Sequence, residues 1–239
     1  MKKILIFGIN GRVGREVGAY LARNYEVVGV DTADVCEIKT VHKYYKYCNL
    51  SDLNDIYRND EYYSVIHMQQ IKSKNFLSSN LLNLEYEDLI SVMDINLYLS
   101  LFSSKKYIEK VLQRADGSLG RIINFGSTYG VISSNPELYE NNEMGNPIQY
   151  TLSKFGINGL TKYLASYFKL YKTLVNNIVP HGIENNQSQE FSSRYSKRNP
   201  IGRLSNPSEL FPIVECLLDE KNTYMNGATL MVDGGWTAC

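Results

Sequence analysis

Four apolar residues, Ile4-Leu5-Ile6-Phe7, run without a break into the loop Gly8-Ile9-Asn10-Gly11-Arg12-Val13-Gly14, and a helical segment follows from Arg15 to about Asn24. An unbroken apolar run suits a strand covered on both faces, which is the habit of parallel sheets. Glycines between such a strand and a helix let backbone amides approach a pyrophosphate, which the helix N-terminus also attracts. The spacing is G-x-x-G-x-x-G rather than G-x-G-x-x-G, and glycine triplets are common turn formers. The place of the loop, directly after the first strand, is what points to a dinucleotide. Gly8, Gly11, Arg12, Val13 and Gly14 are therefore expected to hold it.

Glu26 to Val30 reads as the second strand and ends at Asp31, about twenty residues past the loop, where an acid can bind the adenine-ribose 2′-hydroxyl. A carboxylate there repels a 2′-phosphate, so NAD is expected over NADP. Arg12 and Arg15 are the counter-argument, because either could reach such a phosphate.

Strand and helix patterns alternate along the rest of the chain. A third short strand is expected to end near Cys48-Asn49, and a fourth to cover Ser64 to His67. A helix follows from Leu89 to Val111, then a strand from Gly120 to Phe125 and a long helix from Tyr150 to about Leu170. Thr173 to Val179 reads as a strand closed by Pro180, Pro207 to Leu218 as a helix, and Ala228 to Val232 as a last strand. This order implies an α/β fold with a doubly wound parallel sheet. We expect one Rossmann-type domain over residues 1–239, with about seven strands. The Asn-, Ser- and Arg-rich stretch Glu184 to Asn199 reads as a flexible loop, part of a substrate-side segment over about 182–200.

The 25 basic and 25 acidic side chains cancel, which gives no reason to expect a nucleic acid or an anionic membrane as partner. The apolar run after Lys2-Lys3 ends at Gly8, too short for a signal peptide core or a membrane span. Cys36, Cys48, Cys216 and Cys239 show neither CxxC nor metal-ligand spacing, so reduced thiols, a cytoplasmic location and no metal are expected.

A second constellation carries chemistry. Tyr150 and Lys154 are four apart on an expected helix and so share one face. A neighbouring ammonium favours a phenolate, which makes Tyr150 a usable proton donor or acceptor. Ser127 lies twenty-three positions earlier, just after an expected strand.

Taken together and in order, these pieces resemble the short-chain dehydrogenase/reductase family over nearly the whole chain. The matching parts are Asn124-Phe-Gly-Ser127-Thr-Tyr-Gly130, Tyr150-x-x-x-Lys154, Asn96 on a helix, Asn176-x-x-x-Pro180, and Gly202-Arg203 with Asn226-Gly227 and Asp233-Gly234-Gly235. The resemblance implies hydride transfer between nicotinamide and a carbinol carbon, with the cofactor doing the redox work. By it, Ser127 would hydrogen-bond the substrate oxygen and Tyr150 would pass the proton. Lys154 would bind the nicotinamide ribose and lower the phenol pKa, and Asn96 would hold a water in the proton path. Asn49 and Leu50 would meet the adenine, and Pro180 would line the cofactor site. Homodimers or homotetramers would form through the helices holding Asn96 and Tyr150 and again near the C-terminus; Leu160, Leu164 and Phe168 form one stripe of the second helix that suits either a core or an interface.

The sequence also departs from that pattern. His67-Met68-Gln69-Gln70 stands where the family usually shows Asn-Asn-Ala-Gly, and His181 replaces the glycine after Pro180. These bulky residues motivate a second reading, a dinucleotide sensor or scaffold that has lost catalysis. His181 is expected either against nicotinamide or substrate, or in a loop facing solvent. The Ser127–Tyr150 interval is longer than usual, with an insert over about 134–145, and loops of that length are often functional. The insert and Gly182-Ile-Glu-Asn-Asn-Gln resemble the flagellin modification protein A-like subgroup of bacterial surface-sugar pathways. That resemblance implies an amino-sugar, sugar-phosphate or nucleotide-sugar substrate, whose anionic group Arg194, Lys197, Arg198 or Arg203 could meet.

Overall fold

Side chains alternate sides along each strand, so the all-apolar β1 (Lys3–Phe7) feeds two cores at once. Leu5 and Phe7 join the buried cluster on one face of the sheet, and Ile4 and Ile6 the cluster on the other. Burying each such side chain contributes about 1.5–3 kcal/mol, which is why a parallel strand needs helices on both faces. The computed structural model describes residues 1–58, 60–71, 81–139 and 147–238.

Seven parallel strands form one sheet: β1, β2 (Glu26–Asp31), β3 (Lys43–Lys46), β4 (Ser64–His67), β5 (Gly120–Phe125), β6 (Thr173–Pro180) and β7 (Thr229–Val232). Their spatial order is β3-β2-β1-β4-β5-β6-β7. Helices α1 (Arg12–Leu21) and α8 (Phe211–Leu218) cover one face through Val17, Leu21, Val214 and Leu217. The other face is covered by α2 (Asp52–Arg58), α4 (Leu99–Val111) and α5 (Ile148–Ser166), through Ile56, Tyr107, Val111 and Leu164 among others. Phe7 pairs with Val30 on one side and His67 on the other, so β1, β2 and β4 end level. Strand order reverses between β1 and β4, and ligands bind at the carboxyl ends of strands at such a point. No helix among the described residues is long and apolar enough to cross a membrane.

Several local expectations are corrected. The third strand lies at Lys43–Lys46, earlier than expected, as a short edge whose lysines discourage further pairing. The expected Leu89–Val111 helix is α3 (Tyr86–Met93) and α4 separated by one π-helical turn, Asp94–Tyr98. The helix from Tyr150 stops at Ser166; Phe168 belongs to the short α6 (Phe168–Tyr171), so the three-residue stripe is broken. Leu160 and Leu164 pack on the core. The stretch read as a flexible loop contains α7 (Gln189–Arg198), capped by Ser188 and anchored by buried Phe191 and Tyr195, which the i, i+4 spacing allows.

His67 does not line the crevice. It is buried under the sheet, with Nδ1 2.8 Å from Asn124 Oδ1 and Nε2 2.9 Å from Ser103 Oγ. Burial pushes its pKa down to about 4, so the ring is neutral at pH 7. Tyr57 OH lies 2.8 Å from Ser103 Oγ, and Asn124 Nδ2 donates to Thr161 Oγ1 at 2.9 Å. One buried polar chain thereby ties α2, α4, β4, β5 and α5. The bulky imidazole serves the sheet rather than obstructing a ligand.

Candidate active site

Where β1 ends, Gly8 turns the chain at φ +78°, a left-handed conformation that favours glycine. A Cβ there would lie 2.5 Å from the backbone of Gln69, and one on Gly14 would collide with the Gly8 carbonyl. Gly8 N–H donates to Val30 O at 2.8 Å, which fixes the turn against β2. Gly11 starts α1 with no side-chain cap, so the first-turn amides face the loop's concave side as an anion site. The Asp31 carboxylate accepts from Asn10 N–H and Thr32 N–H, both at 2.8 Å, and braces the loop.

This loop forms one end of a cavity of about 1080 Å³. Gly8, Gly11, Arg12, Val13, Gly14 and Asp31 line it there, and Pro180, Ser127, Tyr150 and Lys154 line its other part. Asn49 and Leu50 do not. The Asn49 side chain accepts from Ser51 in the turn before α2, Leu50 is exposed, and Tyr47 lines the wall instead. Arg12 donates to Glu184 O at 3.1 Å and pairs with Glu16 at 2.9 Å, while Arg15 pairs with Glu37. Both arginines are thus engaged within the protein, and Arg12 links the glycine loop to the segment after β6.

At the far end the catalytic candidates converge. Ser127 follows β5 in extended backbone and is buried. Its hydroxyl is hydrogen-bonded to the Tyr150 phenol in the first turn of α5. Desolvation pushes the Tyr150 pKa up to about 12, against a lowering by Ser127. Lys154, one turn on, is buried, and Nζ donates to Phe125 O at 3.0 Å. Burial pushes its pKa down to about 8. The ammonium lies 5.6 Å from the centre of the Tyr150 ring. The expectation that Lys154 lowers the phenol pKa is therefore not met here: the ammonium is turned to the Phe125 carbonyl, and burial dominates both groups.

Asn96 sits within the π-helical turn and is 2% exposed. Its Oδ1 accepts from Ile71 N–H at 3.0 Å, and its Nδ2 donates to Ser153 Oγ at 3.2 Å. Ser153 in turn donates to Tyr150 O at 2.8 Å. The structure thus brings Asn96, Ser127, Tyr150 and Lys154 to one region.

Sequence reasoning missed the aromatic wall beyond them. Tyr129, Tyr139, Phe191 and Tyr195 line this end, and Tyr139 donates to Tyr129 OH at 3.0 Å. His181 lines it too, but it is 8% exposed, bonded through Nδ1 to Thr128 and packed 4.4 Å from the Trp236 ring. It is not a solvent-facing loop histidine. Burial pushes its pKa down to about 4. The signal that could have shown this wall is Phe191 and Tyr195 one helical turn apart behind the Ser188 cap. The basic residues proposed for an anionic substrate are held elsewhere: Arg194 by Glu190, Arg203 by Glu209, and Arg198 over Trp236. Residues 140–145 of the expected insert lie outside the described residues, as does Cys239.

A family model described as enoyl-(acyl carrier protein) reductase matches residues 64–237. A post-translational flagellin modification protein A from Campylobacter coli is 28% identical over 151 residues, covering 63% of this chain and 58% of that protein. The match thus spans little more than half the length of that relative. A 3-oxoacyl-[acyl-carrier-protein] reductase from Buchnera aphidicola is 27% identical over 98% of this chain and 96% of its own. A crystal structure of a short-chain dehydrogenase from Leptospira borgpetersenii with bound NAD+ superposes with a TM-score of 0.86 at 30% identity, covering 99% of this chain and 92% of that one.

Proposed function

The chain belongs to the short-chain dehydrogenase/reductase family, oxidoreductases that act on CH–OH groups with a nicotinamide dinucleotide, and we propose that it is an NAD-dependent member acting on a sugar derivative. The observation that carries the reading is the hydrogen-bonded Ser127–Tyr150 pair, with Lys154 buried behind it, at the end of a cleft that opens on a glycine loop.

The residues present fit the cofactor. Side chains at Gly8 and Gly14 would collide with the Gln69 backbone and the Gly8 carbonyl, so glycine keeps the loop tight and sets the first-turn amides of α1 toward a pyrophosphate. Asp31 stands where a ribose hydroxyl would be held, and the engagement of Arg12 and Arg15 by acids supports NAD over NADP. When bound, a nicotinamide ring supplies or accepts the hydride at the carbinol carbon.

Everything else falls to the protein. Ser127 holds the substrate oxygen and keeps Tyr150 oriented toward it. With its pKa near 12 the phenol is protonated at neutral pH and donates its proton to a carbonyl oxygen in the reductive direction. Lys154, charged at pH 7 and one helical turn from the phenol, is the donor for the nicotinamide ribose, and Asn96 holds the water that returns the proton. The tyrosine-rich wall offers flat apolar faces to a sugar ring. Among the described residues, Lys154 is the one Lys or Arg lining this end, which favours an amino-sugar or uncharged sugar over a sugar-phosphate.

Leu152, Phe155 and Tyr163 are exposed along one face of α5, and Leu101 and Phe102 along α4, an apolar surface that supports a homodimer or homotetramer. The unpaired cysteines at 36, 48 and 216 are in keeping with a cytoplasmic protein. Replacing Tyr150 with Phe tests the mechanism: turnover is expected to fall by at least about 100-fold with cofactor affinity unchanged. A Y150F variant that turns over normally refutes it.

A further inference from the structure

Gln69 makes contacts that the catalytic reading leaves unused. It stands where the family pattern has a small residue, two positions after β4, and is 8% exposed. Its Nε2 donates to Ile95 O at 3.2 Å and to Ser100 Oγ at 2.7 Å. Ile95 O is a special carbonyl. In an uninterrupted α-helix it would accept from Leu99 N–H, four residues on. Here Leu99 N–H reaches back to Asp94 O instead, because of the π-helical turn. The turn therefore costs Ile95 its α-helical donor, and Gln69 supplies one from the segment after β4. Since a carbonyl can only accept, the amide must present Nε2 and not Oε1 to it.

The turn so capped is the one that carries Asn96. Two residues beyond Gln69, Ile71 N–H donates to Asn96 Oδ1 at 3.0 Å. The three-residue segment Gln69–Ile71 thus grips both the backbone and the side chain of the turn. On its other side, the Gln69 backbone packs against Gly8 at the start of the glycine loop. Gln69 Oε1, meanwhile, is buried and has no hydrogen-bond partner among the described residues. A buried acceptor left unpaired costs about 1–3 kcal/mol, so stability alone does not account for this side chain, and its two donated bonds point to a positional role. π-helical turns are frequent at functional sites.

We propose that Gln69 is a positioning residue: it stabilises the π-helical turn at Asp94–Tyr98 and through it fixes Asn96 for the proton path. The inference rests on the role given to Asn96 above. It predicts that Gln69 matters to proton transfer through Asn96 and not through cofactor affinity.

The test is a double-mutant cycle of Gln69→Met, which keeps length and volume but has no donor, with Asn96→Ala. Alone, Q69M loses both bonds donated by Nε2 and is expected to lower kcat about tenfold, with cofactor KM within about twofold of the parent and the pH profile of kcat displaced as in N96A. In the N96A background, Q69M should change kcat by less than about twofold. Full additivity of the two losses overturns the proposal, as does parental kcat in Q69M. Hydrogen exchange at the Ile71 amide, which is donated to Asn96, gives a reading independent of turnover. Protection there should fall about tenfold in Q69M without a matching fall at the β5 amides. Unchanged protection overturns the clamp. If N96A itself retains full activity, the catalytic role of Asn96 fails instead, and the Ile71 amide still decides whether Gln69 holds the turn.

Discussion

Lys154 is a buried ammonium without a carboxylate partner among the described residues, which makes it a stability defect with a definite pH signature. Burial lowers its pKa from the ordinary 10.5 to about 8, and that difference corresponds to about 3 kcal/mol of destabilisation below pH 8. Lys154→Met removes this penalty but leaves Phe125 O unpaired, at a loss of about 1–2 kcal/mol. The variant should therefore be more stable than the parent at pH 7 by about 1–2 kcal/mol, while its turnover collapses. Between pH 8 and 10.5 the unfolded chain binds the proton and the folded chain does not, so the parent's stability rises through this window relative to the variant. Above it the order inverts and K154M is the weaker protein. Urea denaturation of both proteins without cofactor, at pH 7 and 10.5, measures this directly; titration of the tyrosines is common to both and cancels. A stability difference of the same sign and size at the two pH values, or a K154M that is less stable at pH 7, refutes the reasoning.

Two further outcomes follow from the packing. His67→Leu should lower stability at pH 7 by about 2–4 kcal/mol, because Asn124 Oδ1 and Ser103 Oγ lose their partner. The folded pKa near 4 means the parent loses stability as pH falls from 6.5 toward 4, and thermal melts of H67L should show a flatter acid limb; an equally steep one would contradict the assignment. Phe155→Asp places a charge in the exposed apolar face of α5 and is expected to give a monomer by light scattering, whereas an unchanged assembly would put the interface elsewhere.

The sheet was legible because each central strand carries a short apolar run bounded by turn residues: Ile4–Phe7, Ser64–His67 and Gly120–Phe125 lie within a residue of where their patterns end. The glycine loop and Asp31 were legible because their chemistry is backbone geometry at a fixed place in a βαβ unit. What was hidden depends on partners distant in sequence. The helix through Asn96 keeps its apolar period across the π-helical turn, and the Gln69 amide and Ile71 N–H that meet this turn lie in the segment after β4, distant in sequence. His67 read as an obstacle in the cleft because the alternation of a four-residue strand does not say which neighbour its ring meets; Asn124 and Ser103 do. Helix α7 was masked by polar composition, since two buried aromatics suffice to anchor it. The pKa order of Tyr150 and Lys154 could not be read either. Spacing gives proximity, but burial of both groups outweighs it.

The central claim, an NAD-dependent oxidoreductase built on the Asp31 and glycine-loop end of this cleft, is tested most directly by calorimetric titration of the protein and of Asp31→Ala with NADH and NADPH. NADH is expected to bind the parent at least about tenfold more tightly than NADPH, and D31A to narrow the gap. Tighter binding of NADPH that D31A leaves unaltered, or binding of neither cofactor, would contradict the claim.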